Sequence, residues 1–399
     1  MRILLINRNF GTLFGGGEAF DLAVAESFAA SGHQVEILGG APLFGKPAIS
    51  CDLNVSYLHF PNLRSVAYSQ AFWAPPFRRA CYHVDLQLFQ KWALHWLLSS
   101  NRSSHFDVIQ CCSLFDLSEA LLKRTKAGVV CWLPGEPSPR NQNTIRRLLK
   151  NERFGLFSHG AGATFLSDRM GLEEYNDYES IPPGVYAPPR LPEPSESAAL
   201  RARYGIPGGV MLGATVARLI PIKNLALLIH AIRRVNEKTP LHWLIAGAGS
   251  LEESLKREVS LAGLDNRVRF LGQQTREQVR DLLAASDMFA ITSDFETYSI
   301  ALVEAMAYGL PVLARPVGGC PALIERSGGG LVASSTDEKS FSDSLLRLSL
   351  QPELRTQHGR QARQFAITQT WERTANLLLN LYRKTALQKE EVAYPAERA

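Results

Sequence analysis

The chain has 399 residues, 46% hydrophobic content and a formal net charge of +5. This length favours two domains, and the modest charge gives no reason to expect a nucleic-acid partner. No stretch reaches the ~20 apolar residues of a membrane span, the N-terminus becomes polar too early for a signal peptide, and the six cysteines lack metal-ligand spacing. We therefore expect a cytoplasmic protein with reduced thiols and no metal site.

Strand-like and helix-like segments alternate along the chain, which is typical of parallel sheets covered by helices. In the second half, helices are predicted to begin near Asn224, Leu251, Thr275 and Ser299. The predicted strands are residues 3–7, 34–38, 55–59, 107–111, 128–133 and 163–166, then 210–217, 241–246, 267–271, 288–292 and 311–314.

A proline-rich segment, residues 181–194, separates the two halves. We predict an N-terminal domain at 1–190, a C-terminal domain at 191–370, a closing helix at 371–387 that crosses back to the N-terminal domain, and a flexible tail at 388–399. The fold class is α/β, with two Rossmann-like domains that face each other across a cleft.

The first predicted strand is followed by Gly15, Gly16 and Gly17, which open a helix. A dinucleotide fingerprint would need glycine at position 20, where the chain has Phe20, and the second strand is not followed by an acidic residue. Glycines before a helix N-terminus let backbone amides approach an anion or a sugar closely. A tight structural turn is the equal alternative.

The most informative pair is Glu296 and Glu304, which lie eight positions apart. Glu296 follows a predicted strand, and Glu304 lies in a helix that is otherwise apolar. A carboxylate in that setting needs a partner, because burying an unpaired charge costs several kcal/mol. Hydrogen bonds from a polyhydroxylated ligand would satisfy it, so the pair indicates sugar recognition.

Two cations, Arg218 and Lys223, follow the strand predicted at 210–217. Ligands bind at the carboxyl ends of such strands, so this pair could clamp a diphosphate. Gly247 and Gly249 form a loop after the next strand. That loop could pack against a base or ribose, and a bare turn is the alternative.

Together these residues resemble the retaining nucleotide-sugar glycosyltransferases of family 4, which have the two-domain GT-B fold. The resemblance spans most of the chain, and its most specific part is the glutamate pair with Arg218 and Lys223. It implies transfer of a hexose-type sugar from a nucleotide diphosphate sugar to a glycan, lipid-linked or small-molecule acceptor. No cofactor or metal is implied, because the two cations would stabilise the departing phosphate.

The resemblance also implies roles for individual residues. Glu304 would hydrogen-bond the donor ribose, Glu296 the hydroxyls of the transferred sugar, and Arg218 with Lys223 the diphosphate. Backbone amides near Tyr298 and Ser299, at the predicted helix start, would assist.

One position departs from the family. Many members carry a histidine after the strand that corresponds to 128–132, where this chain has a loop containing Glu136. Glu136 could replace that histidine, or it could be an ordinary loop residue. His159 is a second candidate, for which a buried structural histidine is the alternative.

Acceptor recognition is expected in the N-terminal domain, where an aromatic and basic stretch, residues 72–79, precedes a helix-like segment at 84–98. Aromatic side chains with cations suggest sugar stacking or peripheral contact with the inner face of a membrane, and core packing is the alternative. A basic run at 123–153 leaves the same choice between a solvated face and an anionic surface. An epimerase or hydrolase on the same fold, or a non-catalytic subunit that binds nucleotide sugar, are the alternative functions.

Overall fold

The computed structural model describes residues 1–12, 15–43, 51–60, 75–99, 102–172, 175 and 177–387. The first three residues of the aromatic and basic stretch, 72–74, and the predicted tail 388–399 lie outside this range. The chain forms two compact units: Met1–Pro183 together with the segment from Trp371, and Gly184–Thr370. Each unit is an α/β domain built on a parallel sheet, so the predicted fold class is confirmed at this level.

In the first unit the described strands form one parallel sheet in the order β3-β2-β1-β4-β5-β6-β7. The central strands bury nearly every residue, as parallel strands covered by helices on both faces require. The strands are β1 Arg2–Asn7, β2 Gln34–Pro42, β3 Asn54–Phe60, β4 Val108–Cys112, β5 Gly128–Leu133, β6 Phe154–Ser158 and β7 Tyr178–Ser180. The helices are α1 Gly16–Ala30, α2 Pro75–Ser99, α3 Phe115–Arg124, α4 Pro139–Leu148 and α5 Gly160–Met170.

The second unit repeats this plan, with the described strands in the order β10-β9-β8-β11-β12-β13. Two apolar clusters fill its interior. The strands are β8 Met211–Val216, β9 Leu241–Ala246, β10 Val268–Gly272, β11 Met288–Ile291, β12 Val312–Ala314 and β13 Gly330–Val332. The helices are α6 Pro194–Arg203, α7 Leu225–Asn236, α8 Glu252–Leu261, α9 Arg276–Ala285, α10 Ile300–Ala307, α11 Cys320–Ser327, α12 Glu338–Leu350 and α13 Pro352–Ala366.

The predicted helix starts in this unit are confirmed, because Asn224, Leu251, Thr275 and Ser299 are the residues that precede α7 to α10. The strand predicted at 163–166 is wrong: these residues lie in α5, and the strand is β6, immediately upstream. The burial of β6 explains the difference, since its Phe154, Leu156 and Phe157 fill the core while α5 presents only one side to it.

Hydrogen bonds within the second unit fix the segment that follows the first unit. Val185 N donates to the carbonyl of Gln369 at 2.8 Å, and Arg363 Nη2 donates to the carbonyl of Pro188 at 2.5 Å. The second unit therefore starts at Gly184, a few residues before the boundary predicted at 190.

The last described helix, α14 Trp371–Leu387, packs within the first unit. A Cβ added to Gly128 would stand 2.9 Å from the carbonyl oxygen of Thr385, so the glycine of β5 makes room for the helix. Tyr382 on the same helix donates a 2.5 Å hydrogen bond to Gln110 Oε1 in β4. None of the described helices is both long and apolar enough to cross a membrane.

Asp21 of α1 lies fully inside the first unit, where Asn7 Nδ2 donates to it at 2.7 Å and Gln110 Nε2 at 3.1 Å. Burial raises the pKa of this carboxyl to about 8, against the opposing effect of the Asn7 hydrogen bond, and the nearby Glu18 raises it further. The folded protein therefore holds a proton that the unfolded chain releases near its ordinary pKa of about 4.

We predict that the free energy of unfolding falls as pH rises from about 4 to about 8, by up to about 1.4 kcal/mol per pH unit from this residue. Asp21→Asn should flatten that slope in urea unfolding followed across this range. Asp116→Asn, which removes an exposed carboxyl of the same unit, should leave the slope unchanged. Equal slopes for the wild type and Asp21→Asn would contradict the prediction.

Candidate functional site

The order of the second sheet explains why two distant loops meet. Strands β8 and β11 are neighbours at its centre, although β9 and β10 intervene in the chain. The loop after β8 carries Arg218 and Lys223, and the loop after β11 carries Glu296. Such a reversal of strand order opens a crevice at the carboxyl ends of the strands, where ligands bind in this class of fold.

Lys223 and Glu296 are in direct contact. Lys223 Nζ lies 2.5 Å from Glu296 Oε1, and Ser293 Oγ donates to the same oxygen at 2.7 Å. The side chain of Lys223 is 18% exposed and that of Glu296 is 14% exposed. Water therefore screens this ion pair less than it would screen a surface pair.

Further hydrogen bonds join the two loops. Asp294 N donates to the carbonyl of Ile222 at 2.8 Å, and Thr292 Oγ1 donates to the carbonyl of Lys223 at 3.0 Å. Asn224, which has φ 44°, donates from Nδ2 to Asp294 Oδ1 at 2.9 Å. The position of Lys223 relative to Glu296 is thus set by backbone contacts on both sides.

Arg315, just after β12, is only 8% exposed and binds the loop after β11, which carries Glu296. Its Nη1 donates to the carbonyls of Thr292 and Ser293 at 3.1 and 3.3 Å and to Asp294 Oδ1 at 2.5 Å. Its Nε and Nη2 donate to the carbonyl of Thr336 at 3.1 and 2.9 Å. Sequence reasoning missed this residue, whose only signal was a cation directly after a predicted strand.

The backbone of Glu296 is held as closely as its side chain. Gly319 N donates to the Glu296 carbonyl at 2.8 Å. A Cβ on Gly318, which has φ +56°, would lie 1.9 Å from the same oxygen. Only glycine can occupy position 318 without displacing Glu296.

Glu304 lies on α10 and is partly buried. Burial raises the pKa of its carboxyl to about 7, and the charges of Arg276 and Arg280 lower it by less. Both guanidinium groups lie over the Tyr186 ring, at 5.3 and 5.9 Å from its centroid. No hydrogen bond to the Glu304 carboxyl comes from the residues described, so it is open to a hydroxyl donor.

Tyr298 and Ser299 lie at the start of α10, as predicted. Ser299 has φ +62°, an unusual conformation for a residue with a side chain, and Tyr298 is buried. Backbone strain of this kind is common at ligand-binding positions.

Arg218 differs from Lys223 because its side chain is exposed and has no ion pair within the described part of the chain. Its loop is packed against the glycines of the next loop. A Cβ on Gly247 would lie 1.9 Å from the Ala217 carbonyl oxygen, and one on Gly249 would lie 2.3 Å from that of Leu219. These glycines therefore support the backbone around Arg218.

In the first unit, Gly15 precedes α1, and Gly16 and Gly17 form its start. A Cβ on Gly16 would meet nothing within 4 Å, and one on Gly17 would make only an ordinary contact with Trp132 at 3.5 Å. Internal packing does not require glycine at either position.

Glu136 and His159, the two residues that could replace the histidine carried by many family members, differ in burial. Glu136 is exposed in the loop after β5. His159 is 6% exposed, with its ring 5.7 Å from that of Trp132 and 5.9 Å from that of Phe20, and burial lowers its pKa to about 4. His159 is therefore neutral and part of an aromatic cluster.

Several cations of the basic run at 123–153 are used internally. Arg153 donates to the carbonyls of Leu122 and Thr125, and Lys123 and Arg147 pair with Glu119. Within the described ranges, no group of three or more histidine, cysteine or acidic side chains could hold a metal ion.

The second unit thus has an exposed cation and a shielded ion pair in the loops after β8 and β11, and an open carboxyl on α10, the helix that follows β11. Cations of this kind neutralise phosphate, and carboxylates accept hydrogen bonds from hydroxyls. A ligand with both phosphate and hydroxyl groups matches this set.

Comparison with known proteins agrees with this chemistry. Residues 196–365 match the family model described as "Glycosyl transferases group 1". The match lies within the second unit, Gly184–Thr370. The resemblance to glycosyltransferases predicted from the sequence is confirmed over the matched residues.

The D-inositol 3-phosphate glycosyltransferase of Saccharomonospora viridis is 33% identical over 201 residues. The match covers 48% of this chain and 47% of that enzyme, so the chain spans about half the length of this relative. The similarity in sequence is therefore a similarity of part of each protein.

Solved structures match over nearly the whole chain and show the fold of both units. Sucrose-phosphate synthase from Thermosynechococcus elongatus has a TM-score of 0.77 at 18% identity and covers 97% of this chain and 99% of its own. Anabaena HepE in complex with UDP and glucose has a TM-score of 0.69 at 19% identity and covers 95% and 98%.

Arg315→Met in the second unit should lower the free energy of unfolding by about 2 to 3 kcal/mol, because it leaves buried carbonyls without a donor. Arg203→Met removes an arginine that is 73% exposed and 3.8 Å from Asp281, and it should cost less than about 1 kcal/mol. Denaturant unfolding of both variants checks this. Equal losses would show that Arg315 does not hold the loop.

Gly318→Ala and Gly263→Ala form a second matched pair. Both positions have positive φ, but an added Cβ would meet nothing within 4 Å at Gly263. Gly263→Ala should cost about 1 kcal/mol from backbone strain alone, and Gly318→Ala should cost clearly more. Melting temperatures measure the difference, and similar shifts would mean that the Glu296 backbone can move away freely.

Proposed function

We propose that the protein is a retaining glycosyltransferase that moves a hexose-type sugar from a nucleotide diphosphate sugar to a glycan, lipid-linked or small-molecule acceptor. The observation that carries this proposal is the contact between Lys223 and Glu296, a phosphate-binding type of group beside a hydroxyl-binding one. The matched family and the UDP and glucose named with Anabaena HepE support it.

Each residue has a task in this proposal. Arg218 and Lys223 bind the diphosphate of the donor. Glu296, which Lys223 contacts, accepts hydrogen bonds from the hydroxyls of the transferred sugar. The open carboxyl of Glu304 accepts hydrogen bonds from the ribose hydroxyls, and Ser299 brings the start of α10 to the phosphates. Gly15, Gly16 and Gly17 let backbone amides at the start of α1 approach a ligand in the first unit, where acceptor recognition is assigned, and Gly16 and Gly17 leave room for it.

In the transfer step, the bond between the anomeric carbon and the phosphate oxygen breaks and its electron pair stays on the phosphate. The acceptor hydroxyl forms the new bond on the same face, and its proton passes to the departing phosphate. Arg218 and Lys223 stabilise the negative charge that develops there, which is the main catalytic task. With two cations in this role, the proposal includes no resident metal.

Activity measurements test the proposal. Wild-type protein, supplied with a panel of UDP-, GDP- and ADP-hexoses and a broad acceptor panel, should release nucleoside diphosphate only when an acceptor is present. Lys223→Ala and Glu304→Ala should each lower turnover by at least about a hundredfold, comparable to the loss of a transition-state contact. Lys238→Ala, which removes an exposed lysine two residues after the end of α7, is the control.

Native turnover in Lys223→Ala or Glu304→Ala would contradict the assignment. Nucleotide release without an acceptor would favour a hydrolase. Donor binding without turnover across the panel would favour a non-catalytic binding subunit.

Donor affinity should depend on pH through Glu304. Its pKa is raised to about 7 by burial, and hydroxyl donors favour the ionised carboxylate. Below pH 7 the affinity for nucleotide sugar should therefore fall by up to about tenfold per pH unit, and above it the affinity should level off. Calorimetric titration of the wild type and Glu304→Gln from pH 5.5 to 8 measures this, and an equal pH dependence in both would refute it.

A further inference from the structure

The ion pair of Lys223 with Glu296 sets a condition on what can bind the phosphate site. The ammonium is already neutralised by a carboxylate at 2.5 Å, in a setting where both side chains are largely shielded from water. A phosphate that approaches Lys223 therefore also approaches the negative charge of Glu296. The repulsion between them is weakly screened.

The two oxygens of Glu296 are not equivalent. Lys223 Nζ and Ser293 Oγ both contact Oε1, and the hydrogen bonds among described residues give Oε2 no partner. A hydroxyl of a bound sugar can donate to Oε2 while the ion pair stays in place. An intact donor can thus offset the cost of bringing its phosphate near Glu296.

Free nucleoside diphosphate has no such offset. It lacks the hydroxyls of the transferred sugar. Its terminal phosphate also carries more negative charge than the corresponding phosphate diester of the intact donor. Glu296 opposes this product and favours the donor, although both ligands contact the same cations.

We propose that the Lys223–Glu296 pair makes Glu296 a specificity-determining residue that disfavours free nucleoside diphosphate relative to the intact nucleotide sugar and so promotes product release. This rests on the proposed function and adds a second task for Glu296 beyond holding the sugar. Hydrogen bonds between the two loops hold the pair that makes this discrimination.

The test compares the dissociation constants of the nucleoside diphosphate and its 2-fluoro sugar donor, without acceptor, for the base that the wild type accepts. In Glu296→Gln the nucleoside diphosphate should bind about tenfold more tightly, because a nearby negative charge is removed, while the 2-fluoro donor binds no more tightly than to the wild type. Glu296→Ala makes the same charge change and serves if the glutamine variant does not fold.

Two variants are matched controls. Ser293→Ala removes a hydrogen bond to Oε1 but keeps both charges, so the ratio of the two dissociation constants should stay near that of the wild type. Glu353→Gln neutralises an exposed carboxyl on α13 and should leave the ratio unchanged.

An unchanged or weaker affinity of Glu296→Gln for nucleoside diphosphate would overturn the inference and leave the proposed function standing. An equal gain in Glu353→Gln would also overturn it, because the effect would then be one of net charge. If the wild type bound neither the nucleoside diphosphate nor the 2-fluoro sugar donor for any base of the panel, the proposed function itself would be contradicted.

Discussion

The geometry of the candidate site depends on one buried guanidinium. Arg315 donates to the backbone of Thr292 and Ser293, to the Asp294 carboxylate and to a carbonyl of the following loop. Five donors in a rigid plane suit this task better than the single ammonium of lysine would. The loop that Arg315 holds is the one that presents Glu296 to Lys223.

This arrangement divides the site into a fixed part and a helical part. Lys223 and Glu296 are fixed by hydrogen bonds between loops, whereas Glu304 is positioned by the apolar packing of α10 against the sheet. Side chains that neighbouring groups hold in place lose less entropy when a ligand binds. Ser299 lies between the two parts and has a positive φ. This conformation costs free energy, which the packing of the surrounding residues offsets.

The sequence predicted the parts of the fold that follow from local pattern. The four helix starts predicted in the second unit were correct, because a loop that contains glycine, proline or polar residues separates each helix from the strand before it. Residues 163–166 were placed in a strand wrongly, since a short apolar run is equally compatible with a helix. The strand is β6, immediately upstream, all of whose residues are buried.

Ligands bind at the carboxyl ends of the strands in this class of sheet, so the sequence predicted that the loops of Lys223 and Glu296 lie at the same edge. It did not predict the direct contact between the two side chains. Nor could it identify Arg315, because no local pattern reveals whether a cation after a strand turns inward. The roles of Gly247 and Gly249 were also open, and the close approach of the neighbouring backbone explains them.

The packing of α14 has a consequence for how the protein is made. The first unit needs residues from both sides of the second, since Thr385 and Tyr382 lie against β5 and β4. During synthesis the second unit is therefore complete while the first still lacks a helix over its sheet. The first unit can therefore complete its packing only after α14 has been synthesised.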